Sequence, residues 1–316
     1  MASPLHRFRQ ENPLVQQVNL LLPDLVGVPR GKRLSVQALE RAAEGEILFS
    51  STVYSLDTTG ANVDASPLVW EEGDADRPVA LDLATLVPVP WRPTQAQVIG
   101  GLTEPDGSPF FADPRAVLAR VADAFAEREL TPVAALEFEF YLLEGEGTPR
   151  PVGSGGPDGP AANIDVYRFE RLDAQAEFFD LLDRYCDAQG LETKAAVAEF
   201  APGQFEVNLA HGTDMLRAAD AGLMFKRCVK AAARACGRRA CFMAKPFSDL
   251  AGSGLHVHLS LRDAQGRNLF CETPDGEQAM RRCLAGMQAL MAESMAVFAP
   301  NANSYRRLQP LSYAPL

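Results

Sequence analysis

Glu137 and Glu139 stand two residues apart in Leu136-Glu137-Phe138-Glu139-Phe140. Side chains alternate sides along a strand, so Leu136, Phe138 and Phe140 face one way and both glutamates the other. Two carboxylates on a core strand repel unless a cation or an arginine lies between them; a solvated outer face gives the same alternation. Glu199-Phe200-Ala201-Pro202-Gly203-Gln204-Phe205-Glu206 repeats the theme. After the Pro202-Gly203 turn, Gln204, Glu206 and Asn208 share a face, with Glu199 across the turn. In Gly252-Ser253-Gly254-Leu255-His256-Val257-His258-Leu259-Ser260, residues His256, His258 and Ser260 point opposite to Leu255, Val257 and Leu259. The chain has only four histidines, so this strand carries half of them on one face, as ligands or as a surface pair. Four carboxylates and an imidazole make an oxygen-dominated donor set, which suits Mg²⁺ or Mn²⁺ better than zinc. Hard cations beside a Gly-rich turn fit phosphoryl transfer from a nucleotide. Arg306 and Arg307, in a polar-aromatic loop over residues 301–310, suit a carboxylate or phosphoryl oxygen, or form a solvated basic turn.

Positioning these groups requires strands in mixed company. Residues 14–100 read as β-rich: Val15–Leu22 and Val98–Leu102 are strand candidates, residues 23–33 a hairpin, and Pro and Gly recur too often for long helices. Asp113 before Pro114 is an N-cap with a first-turn proline. The spacing then predicts a helix to about Glu129, a strand over Val133–Leu143 and a Gly/Pro-rich loop over residues 144–163. No Gly-Lys-Ser/Thr follows that loop, so it is a poor phosphate cradle. Helices are predicted over Phe169–Gln189, Asp214–Cys236 and Pro274–Phe298, with strands over Thr193–Ala198, Gln204–Ala210, Ala240–Ala244 and Leu255–Leu261. Strands and helices mix without strict βαβ alternation, which favours α+β over a doubly wound sheet. A boundary near residue 105 divides the chain in two, in keeping with its 316 residues.

The 41 acidic against 30 basic residues argue against a sequence-independent grip on nucleic acid or an anionic membrane. No apolar run reaches membrane-spanning length, and the first dozen residues lack a secretory apolar core. Cys186, Cys228, Cys236, Cys241, Cys271 and Cys283 show no C-x-x-C spacing and read as reduced, buried small hydrophobes in a cytoplasmic protein.

Taken in order over most of residues 14–316, the carboxylate strands, Lys245-Pro246 leading into Gly252–Ser260, and Asn303–Leu308 resemble the glutamine synthetase family. The resemblance implies an N-terminal β-grasp domain over residues 1–104 and a catalytic domain of antiparallel sheet and helices over 105–316, incomplete at its C-terminus. It implies ring-shaped homo-oligomers, a dodecamer being one such ring, with active sites between subunits. Carried over by position, Glu139, Glu199 and Glu206 would hold one divalent metal, and Glu137 and His256 a second. Gly252 would lie against L-glutamate, and Arg307 would meet the transferring phosphoryl group or the substrate carboxylate. His258, Ser260 and His211 fall at the ATP site. Departures concern the ammonium site: its aspartate is missing or displaced to Asp57, Tyr313 replaces a glutamate before Ala-Pro, and Ala251 replaces an asparagine. These resemble the gamma-glutamylpolyamine or gamma-glutamylputrescine synthetase branch, C-terminally shortened. The implied activity joins glutamate to a primary amine such as putrescine, using ATP. Glutamine synthesis from ammonia and an inactive paralogue that binds metal or nucleotide, or co-assembles with a full-length homologue, are the alternatives.

Overall fold

The computed structural model of the chain describes residues 4–43, 46–145, 147–154, 164–271 and 273–310. Tyr313, and residues 155–163 of the expected loop, lie outside them. Two compact units divide the chain. One comprises residues 1–124 with 187–190 and 219–224; the other comprises 125–186, 191–218 and 225–316.

The first 124 residues contain α1 (Pro4–Glu11), β1 (Gln17–Pro23), β2 (Pro29–Ser35), α2 (Val36–Ala43), β3 (Leu48–Ser50), α3 (Pro67–Trp70), β4 (Asp76–Pro88) and β5 (Gln95–Leu102), and α4 (Pro114–Ala126) begins there. Sheet order is β2-β1-β5-β4-β3. β1 is parallel to β5 and antiparallel to β2, while β4 is antiparallel to both β5 and β3. Leu20, Leu22 and Val98 bury one face of this sheet with Leu39 and Phe110. Gly31 is obligatory, because φ is +152° there and a Cβ would stand 1.8 Å from the Leu20 carbonyl oxygen.

Two buried aspartates fasten the turns of this unit. Asp24 accepts the Val26 and Val28 N–H groups at 3.0 and 2.7 Å and pairs with Arg30 at 2.9 Å. Asp113 caps α4 as its sequence predicts: Oδ1 accepts Arg115 and Ala116 N–H at 2.8 and 3.1 Å. Its Oδ2 accepts Leu102 N–H at 2.7 Å and the Tyr54 hydroxyl at 2.5 Å.

The later elements are β6 (Thr131–Glu144), β7 (Arg150–Pro151), α5 (Phe169–Asp173), α6 (Ala176–Ala188), β8 (Thr193–Ala198), β9 (Gln204–Leu209), α7 (Met215–Ala235), β10 (Arg239–Cys241), β11 (Leu255–Arg262), α8 (Pro274–Ala289), α9 (Met291–Phe298) and α10 (Ala302–Arg306). Their six-stranded sheet is built around β6. β6 pairs antiparallel with β9 through Glu137–Tyr141, and with β11 through Thr131–Phe138. Phe138 and Phe140 are buried on one face. Their rings lie 5.3 Å from Phe225 and 5.4 Å from Phe242, respectively.

Four expectations need correction. The helix expected over residues 169–189 is two, divided at Ala174-Gln175, where the Arg238 guanidinium donates to the Gln175 side chain. The helix expected over 274–298 is likewise divided, at Leu290. Residues 302–306 form a short helix rather than a loop, capped by Asn301. Of the cysteines, all free, only Cys186 and Cys228 are buried, and Cys271 and Cys283 are exposed. Among the described residues no helix is long and apolar enough to cross a membrane.

Candidate active site

The alternation in β6 turns Glu137 and Glu139 away from the phenylalanines, and the register of the neighbouring strands supplies their company. Glu139 stands opposite Glu206 on β9, and Glu137 stands between Asn208 on β9 and His256 on β11. Ligand atoms of Glu137, Glu206 and His256 all lie within 4.8 Å of one another. The His256 Nδ1 is 2.6 Å from Glu137 Oε1 and 3.8 Å from Glu206, and its Nε2 is 3.9 Å from Glu139. His258 Nε2 meets the other oxygen of Glu137 at 3.0 Å. The Asn208 amide donates to Glu137 at 2.6 Å and to Glu206 at 3.2 Å.

Among the described residues no lysine or arginine pairs with these carboxylates, and carboxylates gathered in this way resist ionisation. Burial, then the charge of Glu137, pushes Glu206 up to about 7. Burial, then the charge of Glu139, raises Glu199. Burial also opposes ionisation of Glu137, yet hydrogen bonds from His256 and His258 outweigh it and hold that group below the ordinary range. Among the described residues these glutamates meet histidines, amides and backbone N–H groups, and Glu137 and Glu206 also meet each other. Such a donor set fits a divalent cation, whose charge would relieve the crowding that raises Glu206.

The loop before β11 closes one side of this cluster. Glu139 Oε2 accepts Gly254 N–H at 2.9 Å. Tyr141 donates its hydroxyl to the Ala251 carbonyl at 2.7 Å, and Arg307 Nη1 donates to the Ser253 carbonyl at 2.9 Å. A Cβ on Gly252 would stand 2.6 Å from Arg307 Cγ and 2.8 Å from the Ala244 carbonyl oxygen, so only glycine fits beneath that arginine. The Asn303 side chain brackets Lys245, accepting its N–H at 2.9 Å and donating to its carbonyl at 2.8 Å.

Glu137, Glu139, Glu206 and His256 are therefore brought together, with Glu199 in their field and His258 on Glu137. The His211 ring lies 6.5 Å from that of His258. Ser260 pairs with Val133, farther along β6. Gly252 and Arg307 touch each other. Asp57 belongs to the first unit, where its Oδ1 accepts Thr59 N–H, Thr59 hydroxyl and Ala61 N–H at 2.8, 2.7 and 3.0 Å. Sequence reasoning passed over Tyr141, Asn208 and Gln204 as site residues. For the last two the signal was present, since they alternate with Glu206 on one strand face.

The sequence profile of the glutamine synthetase catalytic domain matches residues 111–316. Gamma-glutamylputrescine synthetase of Escherichia coli is 38% identical over 98% of this chain and 66% of its own length. A glutamate–isopropylamine ligase of a Pseudomonas species is 31% identical over 95% of this chain and 66% of its own. A gamma-glutamylethanolamide synthetase of Streptomyces coelicolor is 30% identical, with 95% and 65% covered. The chain thus spans about two thirds of the length of these curated relatives. Among solved structures, ligand-free GmaS superimposes with a TM-score of 0.83 at 29% identity, covering 98% of this chain and 69% of that one. GmaS with ADP gives the same TM-score, with 68% of its chain covered. With that profile over more than half its residues, the chain belongs to the glutamine synthetase family.

Proposed function

We propose that this chain carries the core of an ATP-dependent ligase joining the γ-carboxylate of L-glutamate to a primary amine, putrescine or another polyamine. The observation that carries the reading is the convergence of Glu137, Glu206 and His256 beside the Gly252–Gly254 loop. Names of the relatives support it: three join glutamate to, or form gamma-glutamyl derivatives of, putrescine, isopropylamine and ethanolamine. Glu139, Glu199 and Glu206 would hold one Mg²⁺ or Mn²⁺, and Glu137 with His256 a second. Divalent ions there supply countercharge for phosphate oxygens.

The chain's own residues position and shield. The loop at Gly252 receives glutamate, Arg307 meets its carboxylate or the phosphoryl group, and His258, Ser260 and His211 face ATP. The γ-phosphoryl group of ATP passes to the γ-carboxylate oxygen, giving ADP and gamma-glutamyl phosphate. The amine nitrogen then attacks the carbonyl carbon, phosphate leaves with the C–O bonding pair, and the nitrogen loses a proton. An alkylammonium with a pKa of about 10 must first become neutral, which a base or desolvation accomplishes. By the family resemblance alone, Tyr313 and Asp57 would serve the amine; an aromatic face suits methylenes and a distal ammonium. The finer organisation belongs to the same proposal: a β-grasp domain over residues 1–104, suggested by the parallel β1–β5 pair between antiparallel neighbours; a catalytic domain over 105–316; ring-shaped homo-oligomers; and a cytoplasmic location.

Glutamine formation from ammonia is the second reading, favoured by the 31%-identical glutamine synthetase of Thermus thermophilus. ADP release with glutamate plus ammonia, putrescine, spermidine or ethanolamine separates them. Amine-dependent turnover is expected, and greater turnover with ammonia than with every amine would overturn the assignment.

A further inference from the structure

We infer that Gln204 is a positioning residue coupling the carboxylate cluster to the loop at Gly252, so that occupation of one strengthens occupation of the other. The inference rests on the proposed metal and glutamate sites and adds a connection between them.

Gln204 is 2% exposed at the start of β9, where it stands opposite Tyr141. Its Nε2 donates to the Gly252 carbonyl at 2.8 Å and lies 3.3 Å from Ser253 Oγ and 3.4 Å from Glu139 Oε2. Its Oε1 accepts Ala201 N–H at 3.3 Å. The backbone joins in as well. Gln204 N–H donates to the Ala201 carbonyl at 3.1 Å, and its own carbonyl accepts Glu199 N–H at 2.9 Å. One buried amide thus holds the turn carrying Glu199, the loop expected to receive glutamate, and a carboxylate of the cluster.

The arrangement sorts the two oxygens of Glu139. Oε2 is taken by Gly254 N–H at 2.9 Å and faces Gln204, whereas Oε1 faces His256 at 3.9 Å. A ligand that settles the Gly252–Gly254 loop also fixes Oε2, and through it aims Oε1 at the cluster. Conversely, a cation drawing Oε1 fixes the loop. Coupling of this kind is reciprocal by necessity. Leucine fills the same space without either hydrogen bond. Glutamate at this position keeps the acceptor for Ala201 but sets an oxygen against the Gly252 carbonyl and Glu139.

The test is a binding cycle read by calorimetry and by Mn²⁺ electron paramagnetic resonance on the whole chain. Mn²⁺ affinity is measured with and without L-glutamate for the native chain, Gln204→Leu and Gln204→Glu, with circular dichroism checking the fold. Glutamate is expected to tighten Mn²⁺ binding about fivefold or more in the native chain. In both variants the factor is expected to fall below about twofold, including where Mn²⁺ alone still binds. A merely structural role would lower affinity while leaving the factor intact, and a retained factor in either folded variant overturns the inference. If the native chain binds Mn²⁺ with no response to glutamate, the coupling falls and the metal site stands. No Mn²⁺ binding at all removes the functional reading, and the coupling with it.

Discussion

Asp113 and Glu206 are both carboxylates withdrawn from water, and their surroundings could hardly differ more. Asp113 receives donors on both oxygens: two N–H groups of α4, Leu102 N–H and the Tyr54 hydroxyl. Glu206 has Asn208 as a donor and the His256 ring at 3.8 Å, and it lies in the field of two carboxylates, Glu137 and Glu199. Donors around a buried anion fasten a fold together. Anions around a partly buried anion hold open a demand for countercharge. The difference marks Glu206 as a candidate ligand and Asp113 as a structural acid better than burial does.

The same chemical change at the two sites should therefore act with opposite sign. Asp113→Asn turns an acceptor that four donors share into a half-donor, and should cost about 3 kcal/mol of unfolding free energy in urea denaturation. Equal stability of this variant would break the comparison. Glu206→Gln should raise the melting temperature of the metal-free chain while weakening Mn²⁺ by about tenfold or more in calorimetry. A lower metal-free melting temperature would place Glu206 with Asp113.

Acidity sharpens the contrast further. Glu206 titrates near 7 in the folded chain against an ordinary 4.5. Its protonation thus favours the folded, metal-free state: that contribution is complete below the ordinary value and is lost as pH rises through about 7. Cation binding needs the ionised form, so the melting increment given by saturating Mn²⁺ should grow between about pH 6 and pH 8. A flat increment would mean that Glu206 is not a ligand. Smallest of all, Tyr54→Phe removes one of several donors to Asp113 and should cost about 1 kcal/mol. Burial, then the charge of Asp113, holds that hydroxyl above its ordinary pKa, so it remains a donor throughout the accessible range.

Much of the site was legible in the sequence because period-two alternation is strict. Leu136–Phe140 and Gln204–Leu209 each announce which side chains share a face, and the structure sets those faces side by side. Legibility ended where a contact comes from elsewhere in the chain. Nothing around Ala174 or Leu290 resembles a breaker, yet both expected helices divide there, the first beside Arg238. Cys271 and Cys283 each stand between an apolar and a charged neighbour, Phe270 and Glu272 for one and Arg282 and Leu284 for the other, and both are exposed, since composition does not reveal which side of a segment is covered. Gln204 presented itself as one more polar residue on a polar face. Its tie to Gly252, 48 positions away, depends on a loop whose path no local pattern describes.

Because β6 is bonded along both long edges, the carboxylates it carries cannot be retuned by sliding. A shift of one residue would drive Glu137 and Glu139 among the phenylalanines, and a shift of two would sever both ladders together. Their pitch along the strand, about 6.6 Å, is in effect a fixed ruler. Diversification within such a scaffold must proceed at the rim, where turns lengthen and side chains are exchanged, leaving the inner gauge untouched.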